Sequence, residues 1–460
     1  MRRRAWTTRL SSVCILPAIC GVLLAAGTLR AQVGSPVIST GTNTSTPDPV
    51  TLDVAKIDTS DTDICKRIQK GWEALSSVNG VFVDSGVLDA RSITGGELGS
   101  PNCTVDPFMD PSTGNTTSHH GVLLLGGVVI QTTVPWQIPS HVWVNGLGDP
   151  GSFVGQNTVL QAAPGYSFSG NLPPICVAGA LVCLGHGTQA FRSEVSNLAI
   201  DCNDQPGCIA AYNGAAQEGS WYQGVTLANS GVAGLMVSLN EFTSNGNNFF
   251  GAVNSGPYHN ISVQYWQLCS ICTSSTAGVL LQNNGSNPDF GGVVRDFDNF
   301  TVSGYNACSG NNDSCLGPGF LVEGASVNIT NSHVEYYPTS VQIGANNYDT
   351  NGVEITNVYL SNTQSNTGVM IVKPTGTCSI NGVSGPCATG DVTISGLNFA
   401  AAGTGNSLVD QVGGNTLQDL FIAFYAVGHT GGAKGNLRPK VISTSPNLTD
   451  GTTGGGGNPH

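Results

Sequence analysis

The chain carries one six-residue pattern of apolar and polar positions eight times: apolar, any, Asn/Gly/Asp, mostly apolar, any, apolar. The copies span 195–200, 222–227, 258–263, 297–302, 329–334, 355–360, 394–399 and 417–422, with the central residue at 197, 224, 260, 299, 331, 357, 396 and 419. The centres lie 27, 36, 39, 32, 26, 39 and 23 residues apart, and one slot is irregular, Ser332 standing where the other copies carry an apolar residue. A period in this range marks a solenoid, in which each repeat buries its apolar face only by stacking on its neighbours. Apolar residues alternating on either side of the centre predict two short strands. Asn and Gly at the centre tolerate the left-handed backbone that a bend between the strands requires. The shortest repeats hold about three strands and three turns at roughly 3.3 Å per residue. The pattern therefore predicts an all-β parallel β-helix, with longer repeats carrying loops.

Other elements are legible upstream. Asp61, Thr62 and Asp63 offer a helix cap. Ile64, Ile68, Trp72 and Leu75 then form one apolar helix face, suited to plug the open end of a solenoid. Strands are expected in 78–90 and at 123–125, 128–131, 141–144 and 158–161. A turn at 149–151 and a loop between 91 and 120 complete that region. The expected division is a signal peptide at 1–31, a flexible Ser/Thr/Gly/Pro-rich linker at 32–60, the cap and first coils at 61–190, the repeats at 191–430, and a polar tail at 431–460.

Composition narrows the class. Charged residues make up only 10% of the chain and 62 of 460 residues are Gly, too few helix-face residues for an all-α or doubly wound fold. Arg2, Arg3 and Arg4 followed by the apolar run 13–26 read as a secretory signal. Its removal takes five Arg and no acid, moving the net charge from −13 to −18. So acidic a surface argues against nucleic acid and anionic membrane as partners. No later apolar run is long enough for membrane insertion. The expectation is a monomer, secreted or periplasmic. Twelve of the 14 Cys follow the signal, in local couples 176/183, 202/208, 269/272, 308/315 and 378/387, with Cys65 and Cys103 left over. In an exported chain these read as disulfides that clamp loops. Cys269 and Cys272 form a CxxC, but without a second pair for zinc or a βαβ context for a redox motif.

The segments 87–91, 122–126, 135–142, 146–148 and 158–161 together resemble the opening of pectate-lyase-superfamily proteins. That superfamily comprises secreted right-handed parallel β-helices related to glycoside hydrolase family 28, and the resemblance covers about residues 61 to 430. It implies right-handedness and carbohydrate-directed activity. Family 28 polygalacturonases carry NTD, DD, GHG and RIK motifs in that order; this chain has only Gly185, His186 and Gly187, which also read as a tight turn. Lyases of this fold use Ca²⁺ with an Arg or Lys base, and the repeats offer Arg192, Arg295 and Lys373 without a lyase signature.

Aligned repeat positions stack about 4.8 Å apart in neighbouring coils, which defines two outward patches. One residue before the centre, His259 and Asp298 should be neighbours. Asp296 shares that face, with Trp221 two coils away, so the two carboxylates would be spaced for glycosidic cleavage and an aromatic would sit at the edge. Beyond the bend, His333, Glu335 and Tyr359 form the second patch, with Tyr336 and Tyr337 following. Here Glu335 would serve as general acid and His333 or Tyr359 as its partner. The competing reading of the first patch is a merely solvated surface, and that of the second is that Tyr336 and Tyr337 pack under a loop. Asp201, Asn203 and Asp204 could hold Ca²⁺, although a clamped loop explains them equally. The expected function is that of an exported polysaccharide-degrading enzyme. Hydrolysis is favoured over elimination because acids outnumber cations on the coils. The alternative is a non-catalytic glycan-binding or structural surface β-helix.

Overall fold

The structure, a computed structural model, describes residues 50–77, 86–110, 120–148, 157–166, 179–184, 190–214, 219–238, 241–244, 247–250, 256–282, 292–309, 314–344, 350–362, 367–372, 376–380, 383–387, 389–401, 407–412, 420–428, 441–442 and 448–450. The signal-peptide assignment, the Gly185 to Gly187 motif, Lys373 and the extreme C-terminal tail lie outside these residues.

The chain winds as a right-handed parallel β-helix. A 21-stranded sheet and a 10-stranded sheet, both parallel wherever coils stack, run the length of the described solenoid. One coil shows the plan. Ile209–Asn213 belongs to the 10-stranded sheet, and Trp221–Gln223 and Thr226–Ala228 to the larger one, with Gly224 between them. Ala233–Ser238 then returns to the smaller sheet one rung up. The larger sheet therefore bends once per coil, at the centre of the six-residue pattern.

That bend is where sequence dictates backbone. Asn197, Gly224, Asn260, Asn299, Asn331, Asn357 and Gly396 all adopt positive φ, between 49° and 62°. Only Gly and, with help from a short side-chain amide, Asn enter this region at little cost. The amides also bond along the axis: Asn197 Nδ2 donates to Asn145 (2.8 Å), Asn299 to Asn260 (2.5 Å) and Asn357 to Asn331 (2.6 Å). The flanking apolar rows point inward. Val195, Tyr222, Tyr258, Phe297, Ile329, Ile355 and Ile394 stack before the bend, and Ile200, Leu227, Val263, Val302, Val334 and Leu360 after it, all buried. Tyr258 lies on Phe297 with ring centroids 4.9 Å apart. Removing a ring this deep typically costs about 3–5 kcal/mol. The irregular Ser332 is buried but satisfied: its Oγ donates to Thr330 O (2.7 Å) and accepts from Phe300 N (3.1 Å).

The helix Ile64–Ser77 caps the N-terminal end. Asp63 Oδ1 accepts from the backbone N–H of Cys65 and Lys66 (2.9 and 3.1 Å), and Ile64, Ile68, Trp72 and Leu75 are all buried. The helix presses on the first coil so closely that a Cβ on Gly71 would come 3.0 Å from Leu88 Cδ2. A disulfide from Cys65 to Cys103, the two cysteines left without a local couple, ties the helix to the loop that follows the first coil. The pairs 202/208, 269/272 and 308/315 close as local loops, and Cys183 and Cys387 are also disulfide-bonded.

Two boundaries differ from expectation. Val50–Asp53, inside the expected linker, pairs with Gly86–Ala90 as the first rung, and the helix packs against it. At the other end, Val441–Ile442 and Leu448–Asp450 extend the two sheets into the expected tail. In both places short strands stack on a formed coil, so they need little periodicity of their own.

Candidate functional site

The bend splits the outer face of the larger sheet into two strips, and each expected patch lies on one of them. Before the bend, His259 pairs in register with Asp298, and Asp298 with Thr330. His259 Nδ1 stands 3.2 Å from Asp298 Oδ2, both side chains about one-third exposed. Asp298 Oδ1 accepts from Asn331 Nδ2 (2.7 Å) and from Thr330 Oγ1 (2.9 Å). The Asn331 amide, followed by the Thr330 hydroxyl and His259, holds the Asp298 carboxyl below its usual range against a smaller opposing effect of burial. Asp296 is exposed and accepts from Asn328 Nδ2 (3.0 Å). The strand register shifts between Val294 and Phe297, so this pair of acids straddles an irregularity in the strand. Trp221 is half-buried and pairs with Glu194 of the preceding coil. Arg295 has a described backbone position within Gly292–Asp298 only.

Beyond the bend, Thr301 pairs with His333 and His333 with Tyr359, while Ser303 pairs with Glu335. The His333 and Tyr359 rings meet edge to face, centroids 4.8 Å apart. His333 Nε2 lies 3.5 Å from Glu335 Oε2, an electrostatic contact outside hydrogen-bonding geometry. Ser303 Oγ donates to Glu335 Oε1 (2.8 Å). A shallow depression of about 390 Å³ opens here, walled by Asn331, Asn357, His333, Tyr359 and Asn398, with Ser332 and Val358 as its floor.

Asn331 joins the two strips. Its amide donates to Asp298 on one side, its Oδ1 accepts from Asn357 on the other, and it lines the depression itself. From sequence the asparagines of the bend have only a backbone role, tolerance of the left-handed conformation. Their place between two outward rows is the signal that could have promoted them to lining residues.

Tyr337 departs from expectation. It is fully buried, and burial pushes its phenol far above the usual range. The strand ends at Glu335 and Tyr336 takes a positive φ of 57°, which breaks the alternation and turns Tyr337 inward. There its ring covers the backbone of Gly278 and Gly319, where a Cβ would lie 3.0 Å from its Oη and 3.5 Å from its Cδ2 respectively. Tyr337 cannot meet a ligand. Tyr336 remains half-buried, its ring 5.1 Å from that of the exposed Tyr305.

In the oxygen-rich stretch around Asp201 most carboxylate oxygens are engaged within the protein, and Asp204 Oδ1 is buried without a hydrogen-bond partner. Asp201 is buried and its carboxylate accepts from Gln161, Asn229 and the backbone of Asn203 at 2.7–2.8 Å. Asp204 Oδ2 is taken by Ser270. Among the described residues no three His, Cys, Asp or Glu side chains gather as a metal site would need. Sequence reasoning also passed over Glu323 on the other sheet. Gln282 donates to it (3.2 Å), and burial raises its carboxyl above the ordinary range.

No family model and no curated protein sequence matches the chain. Among solved structures it is similar to a 1,3-α-1,4-β-D-galactose-4-sulfate-3,6-anhydro-D-galactose-2-sulfate 4-galactohydrolase, at 11% identity and a TM-score of 0.34, covering 77% of this chain and 72% of that one. It is similar to a family 82 iota-carrageenase from A. fortis, at 13% identity and 0.35, covering 72% and 57%. A DFA-IIIase from Arthrobacter chlorophenolicus A6 matches at 11% identity and 0.32, covering 82% and 93%. At this distance the likeness carries nothing about chemistry.

Proposed function

We propose that the protein is an exported polysaccharide-degrading enzyme of the pectin-lyase-like kind, acting at the bend of its larger sheet by hydrolysis rather than elimination. The observation that carries this reading is the depression at Asn331, His333, Asn357, Tyr359 and Asn398, with Glu335 3.5 Å from His333. Three amides and an aromatic edge suit a polyhydroxylated ligand. An open depression on the flank of a solenoid admits a chain rather than a single small molecule. Asp298, held anionic by its donors, suits a base or nucleophile, and the His333–Glu335 pair suits proton delivery. No helix among the described residues is long and apolar enough to cross a membrane, and the disulfides fit an oxidising compartment.

One observation favours a glycan-binding protein instead. Asp298 is pushed down, and of the described carboxyls that burial pushes up, Asp106 and Asp201 are buried and Glu323 belongs to the other sheet. A hydrolase needs one carboxyl of each kind close together.

The experiment is a digest of a polysaccharide panel with the purified protein, with Ca²⁺ and then with chelator, reading reducing ends and the ultraviolet absorbance of unsaturated products. Reducing ends alone, lost in Glu335→Gln, support hydrolysis at this site. Absorbance that disappears with chelator replaces it with a Ca²⁺-dependent lyase. Glycan affinity without new chain ends establishes the binder.

A further inference from the structure

The upstream coils of the same strip carry a surface that the bend site does not use. Trp143 pairs in register with Glu194, and Glu194 with Trp221. The three side chains therefore stand in one outward row on consecutive coils, the tryptophans at either end. At about 4.8 Å per coil the two indoles are roughly 10 Å apart along the axis. Trp143 is 49% exposed, large for an aromatic on a soluble surface. Its ring is not free to swing, because Nε1 donates to Arg192 O (2.8 Å).

We infer that Trp143, Glu194 and Trp221 form a binding platform for a neutral, extended β-linked polysaccharide lying along the solenoid axis. In such a chain alternate sugars present the same face. Two rings separated by two coils match that alternation, each stacking on an apolar sugar face. The intervening carboxylate accepts from sugar hydroxyls at the ring edge. Charge selects the neutral ligand: Glu194 stands between the rings, on a protein of net charge −13. Arg192, exposed beside both tryptophans, balances Glu194 at most, so the row carries no net positive charge to draw an anionic glycan. His141, its ring tilted against that of His120 with centroids 4.5 Å apart, is pushed toward its neutral form by burial and by its neighbours His120 and Arg192.

The platform is continuous with the site at the bend. The adjacent row runs in register from Ser196 through Gln223 and His259 to Asp298. A chain lying on the tryptophans is thus directed along the strip toward Asp296 and Asp298. Binding here does not depend on catalysis there.

The test is calorimetric titration of the full protein with cellohexaose, cellobiose and oligogalacturonate, repeated for Trp143→Ala, Trp221→Ala and Glu194→Gln. The hexasaccharide should bind, cellobiose should bind far more weakly because it cannot span both rings, and oligogalacturonate should not compete. Each tryptophan variant should weaken cellohexaose binding by about tenfold or more, as removal of a central aromatic anchor does. Trp143→Ala is the cleaner variant, since half its surface is already in water; circular dichroism confirms that it folds. Unchanged cellohexaose affinity in the folded Trp143→Ala protein overturns the inference, as does a preference for oligogalacturonate or equal affinity for the disaccharide. Failure of the platform and failure of the bend site are read separately, because the titration measures cellohexaose affinity whereas the polysaccharide digest measures new chain ends.

Discussion

Replacing Asn331 tests how the bend serves both fold and site, because two substitutions separate its two roles. Asn331 sits at φ 49°. Its side chain donates to Asp298 (2.7 Å) and accepts from Asn357 (2.6 Å). Asn331→Gly keeps the backbone conformation but removes both bonds. A bond to a charged group contributes about 1.5–3 kcal/mol and a neutral one about 0.5–1.5. Both are solvent-facing, so the low ends apply, and the expected loss is about 2 kcal/mol. Asn331→Ala removes the same bonds and keeps a Cβ in the left-handed region without the amide that eases Asn into it, a penalty of about 1–2 kcal/mol that the Gly variant escapes. The expected order is wild type, then Gly, then Ala.

Solenoids can unfold in segments, so a single global midpoint is a poor measure. Amide hydrogen exchange at Asn331, whose N–H donates to Thr356 O (3.1 Å), and at Asn357 reads the local effect. The electrostatic consequence is independent of unfolding. The Asn331 amide is the first cause of the lowered Asp298 pKa, so either variant should move the Asp298 titration up toward 3.8, seen by carboxyl carbon NMR. Equal protection in the Gly and Ala variants would refute the role given to the bend conformation. An Asp298 titration that stays put would refute the link between bend and site.

Other predictions follow from buried groups. Asp106 is fully buried and burial pushes its carboxyl up to about 8. Its folded value lies above its unfolded one, so its contribution to stability is full below about pH 4 and is lost as pH rises through about 8. The slope inside that window reaches about 1.4 kcal/mol per pH unit, and thermal melts of Asp106→Asn across that range should be flatter than wild type. Asp298 acts in the opposite sense: its contribution is present above the unfolded value of 3.8 and lost as pH falls through its lower folded value, a step that Asp298→Asn should erase. Loss of Cys65–Cys103, at a separation of 38, should cost about 4 kcal/mol in the chain-entropy description, against about 2 for Cys269–Cys272 at a separation of 3. Equal melting losses in the two double Ser variants would contradict the capping role of the helix.

The architecture was legible because each coil repeats one constraint. The bend needs a residue that tolerates positive φ, and its neighbours need apolar side chains, so Asn197 and Val195 announce the same geometry as Asn357 and Ile355. Register follows from that alignment, which is why His259 could be placed beside Asp298 and His333 beside Tyr359 from spacing alone. The reasoning fails where the repeat does. Tyr337 follows the second patch in sequence, but the strand ends two residues earlier, at Glu335, and the chain turns the ring inward. Asp296 was placed on a regular strand that shifts register before Phe297. Cys65 and Cys103 lie in the cap, outside the repeat, so no coil alignment could pair them. Glu323 lies in Pro318–Glu323, on the sheet that the six-residue pattern does not describe.

The remaining choice between hydrolase and binder turns on Asp298. Three donors converge on its two oxygens, and that arrangement stabilises the anion. An anion can attack a sugar carbon or activate water, but it cannot protonate a leaving group. If the site is catalytic, the proton must therefore arrive from across the bend, where His333 and Glu335 stand 3.5 Å apart beside the depression. This division of labour makes the two readings diverge in a single variant. In a hydrolase, Asp298→Asn should cut turnover by about a hundredfold or more while glycan affinity changes little, because the amide keeps the shape of the site. In a binder, no chain ends appear with either protein, so the substitution changes nothing that the digest reads. Full turnover in Asp298→Asn would remove this carboxylate from the mechanism.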